Sequence, residues 1–311
     1  MVINIAYSCN DAYIQHTGIS IISLLKTNVA INSINIYFIE KEVSPKNLIV
    51  LEEIVKSYNR NFIVISFDQL CSKLEINALG RHAETVYAKL FFSGIEGVDK
   101  IIYIDSDTII NNSLSDFWAI DLENNLIGGV QTTSVKVKKE LNLSFSDKFI
   151  NDGVVLINLK EFRIQNIEQK FIACIASYNG NPPVLSEGVI NKVCKGKIKI
   201  IHPKYNFMSG LIAYKKNVFQ KIDDFYSYKI LKEANQNPVI IHFLSDFYNR
   251  PWDLNCTHPM KGSYLYYKSI SPWKNNSLLD KKLSLRLRTI KFLYQYFPNT
   301  VIDFLRFLIN K

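Results

Sequence analysis

The feature that most constrains this chain is the regular alternation of short apolar runs with helical patterns across its first hundred residues. Val2–Tyr7 is one such run, and a helical pattern through Ile19, Ile22 and Leu25 follows it. Ile34–Ile39 reads as a second strand. Ser44-Pro45 then supplies an N-cap and a favoured first helical residue. The helix that opens there carries Leu48, Leu51, Ile54, Val55 and Tyr58 on one side. Asn61–Phe67 and Lys100–Ile104 read as a third and a fourth strand. Such strands, rich in β-branched residues, are buried on both faces. Alternated with helices, they form a mostly parallel sheet with helices on either side. The expected class is therefore α/β and Rossmann-like, with ligands at the carboxyl ends of the strands.

The later chain is less regular. Leu126–Val130, Val154–Leu159, Lys197–Ile201 and Val239–Phe243 are further strand candidates, with helices near Glu161–Tyr178 and Glu187–Val193. Without a repeat or a low-complexity linker, the simplest partition is one domain over residues 1–260 and an extension over 261–311.

A chain of 311 residues with 48% hydrophobic content has enough material for a folded core and is not disordered or fibrous. Its five cysteines are odd in number and scattered, with no C-x-x-C pair. This argues against a zinc knuckle and a disulfide framework, and for a reducing cytoplasm. No charged-then-apolar leader precedes the first strand, so a secretory signal is not expected. No apolar stretch is long and uncharged enough to span a bilayer. The formal charge of +9 is uneven, with seven Lys/Arg against two Asp between Asp280 and Lys311. The same segment carries Phe292, Phe297, Phe304 and Phe307 among many leucines and isoleucines. Basic and bulky apolar residues together suit a helical segment lying on an anionic membrane surface. A terminal helix pair packed on the domain and broken at Pro298 is the plainer alternative. No nucleic-acid motif accompanies the charge, so a nucleic-acid partner is not expected.

The strongest chemical signal is Ile101-Ile102-Tyr103-Ile104-Asp105-Ser106-Asp107. Two carboxylates one residue apart at the exit of a buried strand can both bend toward one hard cation, which then neutralises a diphosphate. An exposed turn is the competing reading of the same triplet. His242 ends a second apolar run, and a mixed carboxylate and imidazole shell suits Mn²⁺; a hydrogen-bonded structural histidine is the alternative. Downstream, Arg250-Pro251-Trp252 presents a cation on a fixed turn, suited to phosphate oxygens. Asn151-Asp152-Gly153 reads either as a functional cluster or as a plain turn before a strand. Ser186-Glu187-Gly188 reads likewise as functional or as a helix N-cap with an acidic first turn.

In this order the pieces resemble the family 8 glycosyltransferases, the retaining group that includes bacterial lipopolysaccharide galactosyl- and glucosyltransferases and glycogenin. The likeness runs from Asn4 to about residue 275. It opens with Ile5-Ala6-Tyr7-Ser8-Cys9-Asn10-Asp11-Ala12-Tyr13, continues through Tyr87-Ala88-Lys89-Leu90 and the pieces above, and closes on Arg250-Pro251-Trp252. The resemblance implies a GT-A fold, a UDP-sugar donor, and Mn²⁺ (with Mg²⁺ as second choice) held by Asp105, Asp107 and His242. It implies that Ala6, Tyr7, Ser8, Asn10, Asp11, Tyr13 and Ser106 belong to the nucleotide site, together with Ser245 and Arg250. It implies that Lys89, Asn151 and Glu187 are the catalytic groups facing the donor sugar.

Some positions depart from the usual pattern. Lys89 stands where arginine is common, Ala12 where asparagine is, Glu187 where glutamine is, and Ser186 where aspartate is. They leave the metal triplet intact and bear on the identity of the sugar. The expected function is retaining transfer of a hexose, galactose or glucose, to a glycan, glycolipid or glycoprotein acceptor. The expected location is the cytoplasmic face of the plasma membrane, with contact through the C-terminal segment. The rivals are a catalytically decayed nucleotide-sugar- or glycan-binding protein and, lower, a nucleotidyltransferase, whose Gly-rich loop is missing.

Overall fold

The structure is a computed structural model that describes residues 1–76, 84–132, 135–213, 226–245 and 248–280, with Thr289 and Phe292. Of the basic aromatic segment from Asp280 to Lys311, expected to touch a membrane, all but Asp280, Thr289 and Phe292 lie outside the described residues.

Among the described residues the strands are β1 (Val2–Asn10), β2 (Ser33–Lys41), β3 (Asn61–Ser66), β4 (Lys100–Ile104), β5 (Thr108–Ile110), β6 (Ile127–Gln131), β7 (Ile150–Asn158), β8 (Ile198–Ile200), β9 (Phe207–Met208) and β10 (Ile240–His242). Seven form one sheet in the order β3-β2-β1-β4-β7-β6-β8. Only β7 runs against the rest: it is antiparallel to both β4 and β6, whereas the other pairs are parallel. This is the mostly parallel α/β sheet that the alternation predicts. The remaining three make a small sheet, β5-β10-β9.

Burial on both faces explains the near-continuous apolar runs. Along β4, Ile102 and Ile104 enter one core while Ile101 and Tyr103 enter the core on the opposite face. Along β7, Val154 and Leu156 take the first face and Val155 and Ile157 the second. Each such side chain removed from water contributes about 2 kcal/mol, so this double layer is the rigid support for the polar residues at its edge.

Three local features differ from the sequence reading. Strand β7 starts at Ile150, so Asn151-Asp152-Gly153 lies inside the strand rather than in a turn before it. The helix read across Glu161–Tyr178 is two helices, Leu159–Ile164 and Ile167–Ser177, separated by Asn166 in the left-handed region (φ 50°). Asparagine tolerates that conformation, and the helix cannot run through it. Strands β5 and β9 are too short to show a period.

The helix Ile14–Thr27 is buried along most of its length and carries a stripe of hydroxyls at three-residue spacing. Thr17 donates to Ser106 Oγ (2.7 Å), Ser20 Oγ lies 2.9 Å from Thr108 Oγ1, and Ser23 Oγ accepts from the backbone N–H of Ile110 (2.8 Å). Spacing of three places these groups on one helix face, and there they hold the segment that leaves β4. Packing continues past residue 260. The helix Lys261–Ser269 lies against Ile14–Thr27, with Tyr264 Oη 2.8 Å from His16 Nδ1. The Trp273 ring closes on Gly18, where a Cβ would come within 2.3 Å of it. No helix among the described residues is long and apolar enough to cross a membrane.

Candidate active site

Strand β4 ends at Ile104, and Asp105-Ser106-Asp107 turns from it into β5. Three bonds fix that turn: Asp105 N–H to Gly153 O (2.8 Å), Thr108 Oγ1 to Asp105 O (2.8 Å), and Phe243 N–H to Asp107 O (2.9 Å). Because β10 pairs antiparallel with β5, His242 stands opposite Thr108 and beside the triplet. Ligand atoms of Asp105, Asp107 and His242 all lie within 4.8 Å of one another.

His242 Nδ1 lies 2.9 Å from Asn206 Oδ1, which requires the ring proton on Nδ1. Its Nε2 then carries a bare lone pair, buried and without a hydrogen-bond partner among the described residues. That lone pair faces Asp107 Oδ1 at 3.1 Å and Asp105 Oδ2 at 3.9 Å. Burial lowers the His242 pKa, so the ring is neutral. Three acceptors facing one another fit a divalent cation, and two carboxylates with an imidazole suit an ion of the Mn²⁺ type. Gly153 makes the closeness possible: a Cβ there would lie 2.4 Å from His242 Cε1 and 2.5 Å from Asp105 Oδ2. The Arg250 guanidinium contacts Asp107 Oδ2 and the carbonyl of Phe243, and stands 5.6 Å from the Trp252 ring centre.

Around the start of β7 sits a different kind of cluster. Lys89 is presented by the 3₁₀ run Glu84–Gly94 and is only 2% exposed. Its Nζ donates to Asp152 Oδ2 and to the Asp152 carbonyl, both at 3.0 Å, lies 3.9 Å from Asp105 Oδ1, and stands 4.2 Å from the Tyr103 ring centre. Ser186 Oγ adds a 2.6 Å bond to Asp152 Oδ2. Glu187, in the first turn of the helix Leu185–Val193, accepts from Asn151 Nδ2 at 2.9 Å. Burial, and then the neighbouring Asp152 charge, push its carboxyl well above the usual carboxylate range.

A cleft of about 260 Å³ opens at the first of these clusters; Lys89, Asn151 and Glu187, expected to face the donor sugar, do not line it. Of the residues expected at the nucleotide, Ser8, Asn10, Tyr13, Asp105, Ser106 and Arg250 line it, with Asp107 and His242. Ala6 and Tyr7 are buried in β1, where the Tyr7 hydroxyl meets Ser20 Oγ at 3.2 Å. Asp11 turns outward and accepts from the Ser44 N–H (2.9 Å) and Asn47 Nδ2 (2.8 Å), holding the start of the helix Pro45–Lys56. Ser44 itself makes no side-chain cap bond there. Ser245 is exposed at the edge of the described chain. Sequence reasoning missed Asn206 and Thr17, which brace His242 and Ser106, and Thr85 and Tyr103, which line the cleft. Thr17 was findable as the first of three hydroxyls spaced by three; Asn206 carries no such signal.

Residues 4–256 match the sequence profile of glycosyl transferase family 8. The chain is 23% identical over 289 residues to a lipopolysaccharide 1,2-glucosyltransferase of Escherichia coli (strain K12), covering 90% of this chain and 81% of the relative. It is 23% identical over 308 residues to a lipopolysaccharide 1,3-galactosyltransferase of Salmonella typhimurium, covering 92% and 83%. Its fold is similar to a solved structure of galactosyltransferase LgtC in complex with donor and acceptor sugar analogs. That likeness has a TM-score of 0.71 at 18% identity, over 92% of this chain and 99% of the other.

Proposed function

The chain belongs to glycosyl transferase family 8, and from that membership we propose that it transfers a hexose, galactose or glucose, with retention from a UDP-sugar to a cell-surface glycan precursor, glycolipid or glycoprotein. The observation that carries the reading is the bare His242 Nε2 facing Asp105 and Asp107 beside Arg250, at the exit of β4. Mn²⁺ held by these three would neutralise charge growing on the leaving diphosphate, usually the largest single contribution in such chemistry.

The chain's own residues divide the remaining work. Arg250, lying against Asp107, swings its guanidinium onto diphosphate oxygens that then compete for it. Asn151, Glu187 and the Lys89–Asp152 pair form the wall against the donor sugar, and their mutual bonds fix it in place. A carboxyl whose pKa is raised stays protonated near neutral pH, so Glu187 donates to a sugar hydroxyl and is a poor nucleophile. Retention then follows from attack on the same face. The anomeric carbon–phosphate oxygen bond breaks, the carbon–acceptor oxygen bond forms, and the acceptor proton passes to the departing phosphate oxygen.

The test is a donor screen with Mn²⁺ that follows UDP release from UDP-Gal, UDP-Glc and their N-acetyl forms. Faster release from one of the two hexoses, with an α-linked product, is expected. Tight UDP binding with no release from any donor would instead support the decayed binding protein. Membrane association belongs to the same proposal and rests on the charge and aromatic content from Asp280 to Lys311. Deleting that segment should cut recovery on anionic vesicles while leaving turnover of a soluble acceptor in place.

A further inference from the structure

Asn206 is fully buried between the short turn Pro203–Tyr205 and β9, and both ends of its amide are committed. Oδ1 accepts from His242 Nδ1 at 2.9 Å, and Nδ2 donates to Asn151 Oδ1 at 2.8 Å. Asn151 Nδ2 continues the chain to Glu187 Oε2 at 2.9 Å. The orientation of all three side chains follows from one group that cannot be reversed. The backbone N–H of Gly153 donates to Asn151 Oδ1 at 3.1 Å, so the Asn151 amide must point its NH₂ at Glu187. Asn206 must then offer NH₂ to Asn151 and oxygen to His242, which places the imidazole proton on Nδ1.

Without that partner the opposite tautomer would be favoured. A proton on Nε2 would find Asp107 Oδ1 only 3.1 Å away and would form a buried, charge-assisted hydrogen bond. The proton would then sit where a cation bridging His242 and Asp107 belongs.

We propose that Asn206 is a positioning residue: it holds His242 in the one tautomer that can ligate a cation beside Asp105 and Asp107, and ties that tautomer to the orientation of Asn151 at Glu187. The proposal rests on the metal site of the preceding subsection and extends it to a residue with no contact to donor or metal.

Two variants separate the two bonds. Asn206→Leu removes both, so the His242 proton moves to Nε2 and the Mn²⁺ dissociation constant rises about 10–100-fold, the usual effect of losing a partner behind a metal-binding histidine. Asn206→Asp still accepts from Nδ1 but cannot donate to Asn151. It therefore retains the wild-type tautomer and Mn²⁺ affinity while the donor KM rises. Tautomers are read by ¹⁵N NMR of histidine-labelled, metal-free full chain, with His242 assigned against His242→Gln. Affinity is read by electron paramagnetic resonance of free Mn²⁺ without donor.

An unchanged tautomer and affinity in Asn206→Leu would overturn the proposal. So would an Asn206→Asp protein that folds yet loses the Nδ1–H tautomer, a comparison that stands even where the leucine variant fails to fold. If the wild type bound no Mn²⁺, the metal reading would fail, while the tautomer comparison, made without metal, would still decide the role of Asn206.

Discussion

At the cleft Asp105, Asp107 and His242 turn acceptors toward one another, and among the described residues the Arg250 guanidinium is the side-chain donor that meets Asp107. Around the start of β7, by contrast, donors meet acceptors: Lys89 and Ser186 bond to Asp152, and Asn151 bonds to Glu187. Both clusters are polar and largely buried, and both lie against β7, the first at Gly153 and the second at Asn151 and Asp152. Unmatched acceptors mark a place that a cation fits, because leaving them facing one another is costly in a low-dielectric setting. Matched pairs mark a surface whose shape is set before any ligand arrives. Damage at the first end should therefore appear as lost metal and turnover with little loss of fold, and damage at the second as lost stability.

The largest effect expected is at the metal end. His242→Ala removes one of three ligands, and UDP release with saturating Mn²⁺ should drop by about 10²–10³-fold while the thermal transition stays near that of the wild type. Gly153→Ala is next. Its Cβ would meet His242 at 2.4 Å and Asp105 at 2.5 Å, and a displacement of about 1 Å in such a site costs roughly 100-fold in rate. A rate within twofold of wild type would show that the two ligands do not depend on that close approach.

At the paired end, Lys89→Met should leave Asp152 buried with its cation gone. The expected loss is about 3–5 kcal/mol of stability in chemical denaturation, larger than for either metal-end variant. Glu187→Gln should give a change that depends on pH. Folding raises this carboxyl from 4.5 to about 8, so its contribution to stability is complete below 4.5 and is lost as pH rises through 8. Glutamine has no such loss, so the variant's melting temperature should gain on the wild type by roughly a few degrees between those limits. A pH-independent difference would mean that Glu187 is already ionised throughout.

The same contrast explains what was legible in the sequence. Strands β1 to β4 could be read because burial on both faces leaves continuous apolar runs, and Lys100–Ile104 was found to the residue. Their exits pointed to Asp105 and Asp107; at His242 the apolar run left a structural histidine open, and the family resemblance set it beside them as a candidate ligand. Asn, Asp and Gly favour turns, so the sequence shortens β7 at its start, whereas the structure runs the extended strand through all three. The family resemblance named Ala6 to Tyr13 as a nucleotide-binding opening. It could not say that Ser8, Asn10 and Tyr13 line the cleft while Asp11 supports a neighbouring helix. Asn206 was invisible because its importance comes from two long-range bonds, to His242 and to Asn151, that no local pattern encodes.

The most direct test of the central claim is UDP release from UDP-Gal and UDP-Glc by chelator-treated protein with Mn²⁺ added back, wild type beside Asp107→Ala. The account predicts that the wild type loses turnover on chelation and regains it with Mn²⁺, while the variant stays inactive at every Mn²⁺ concentration. Turnover that survives chelation, or that Asp107→Ala retains, would contradict it.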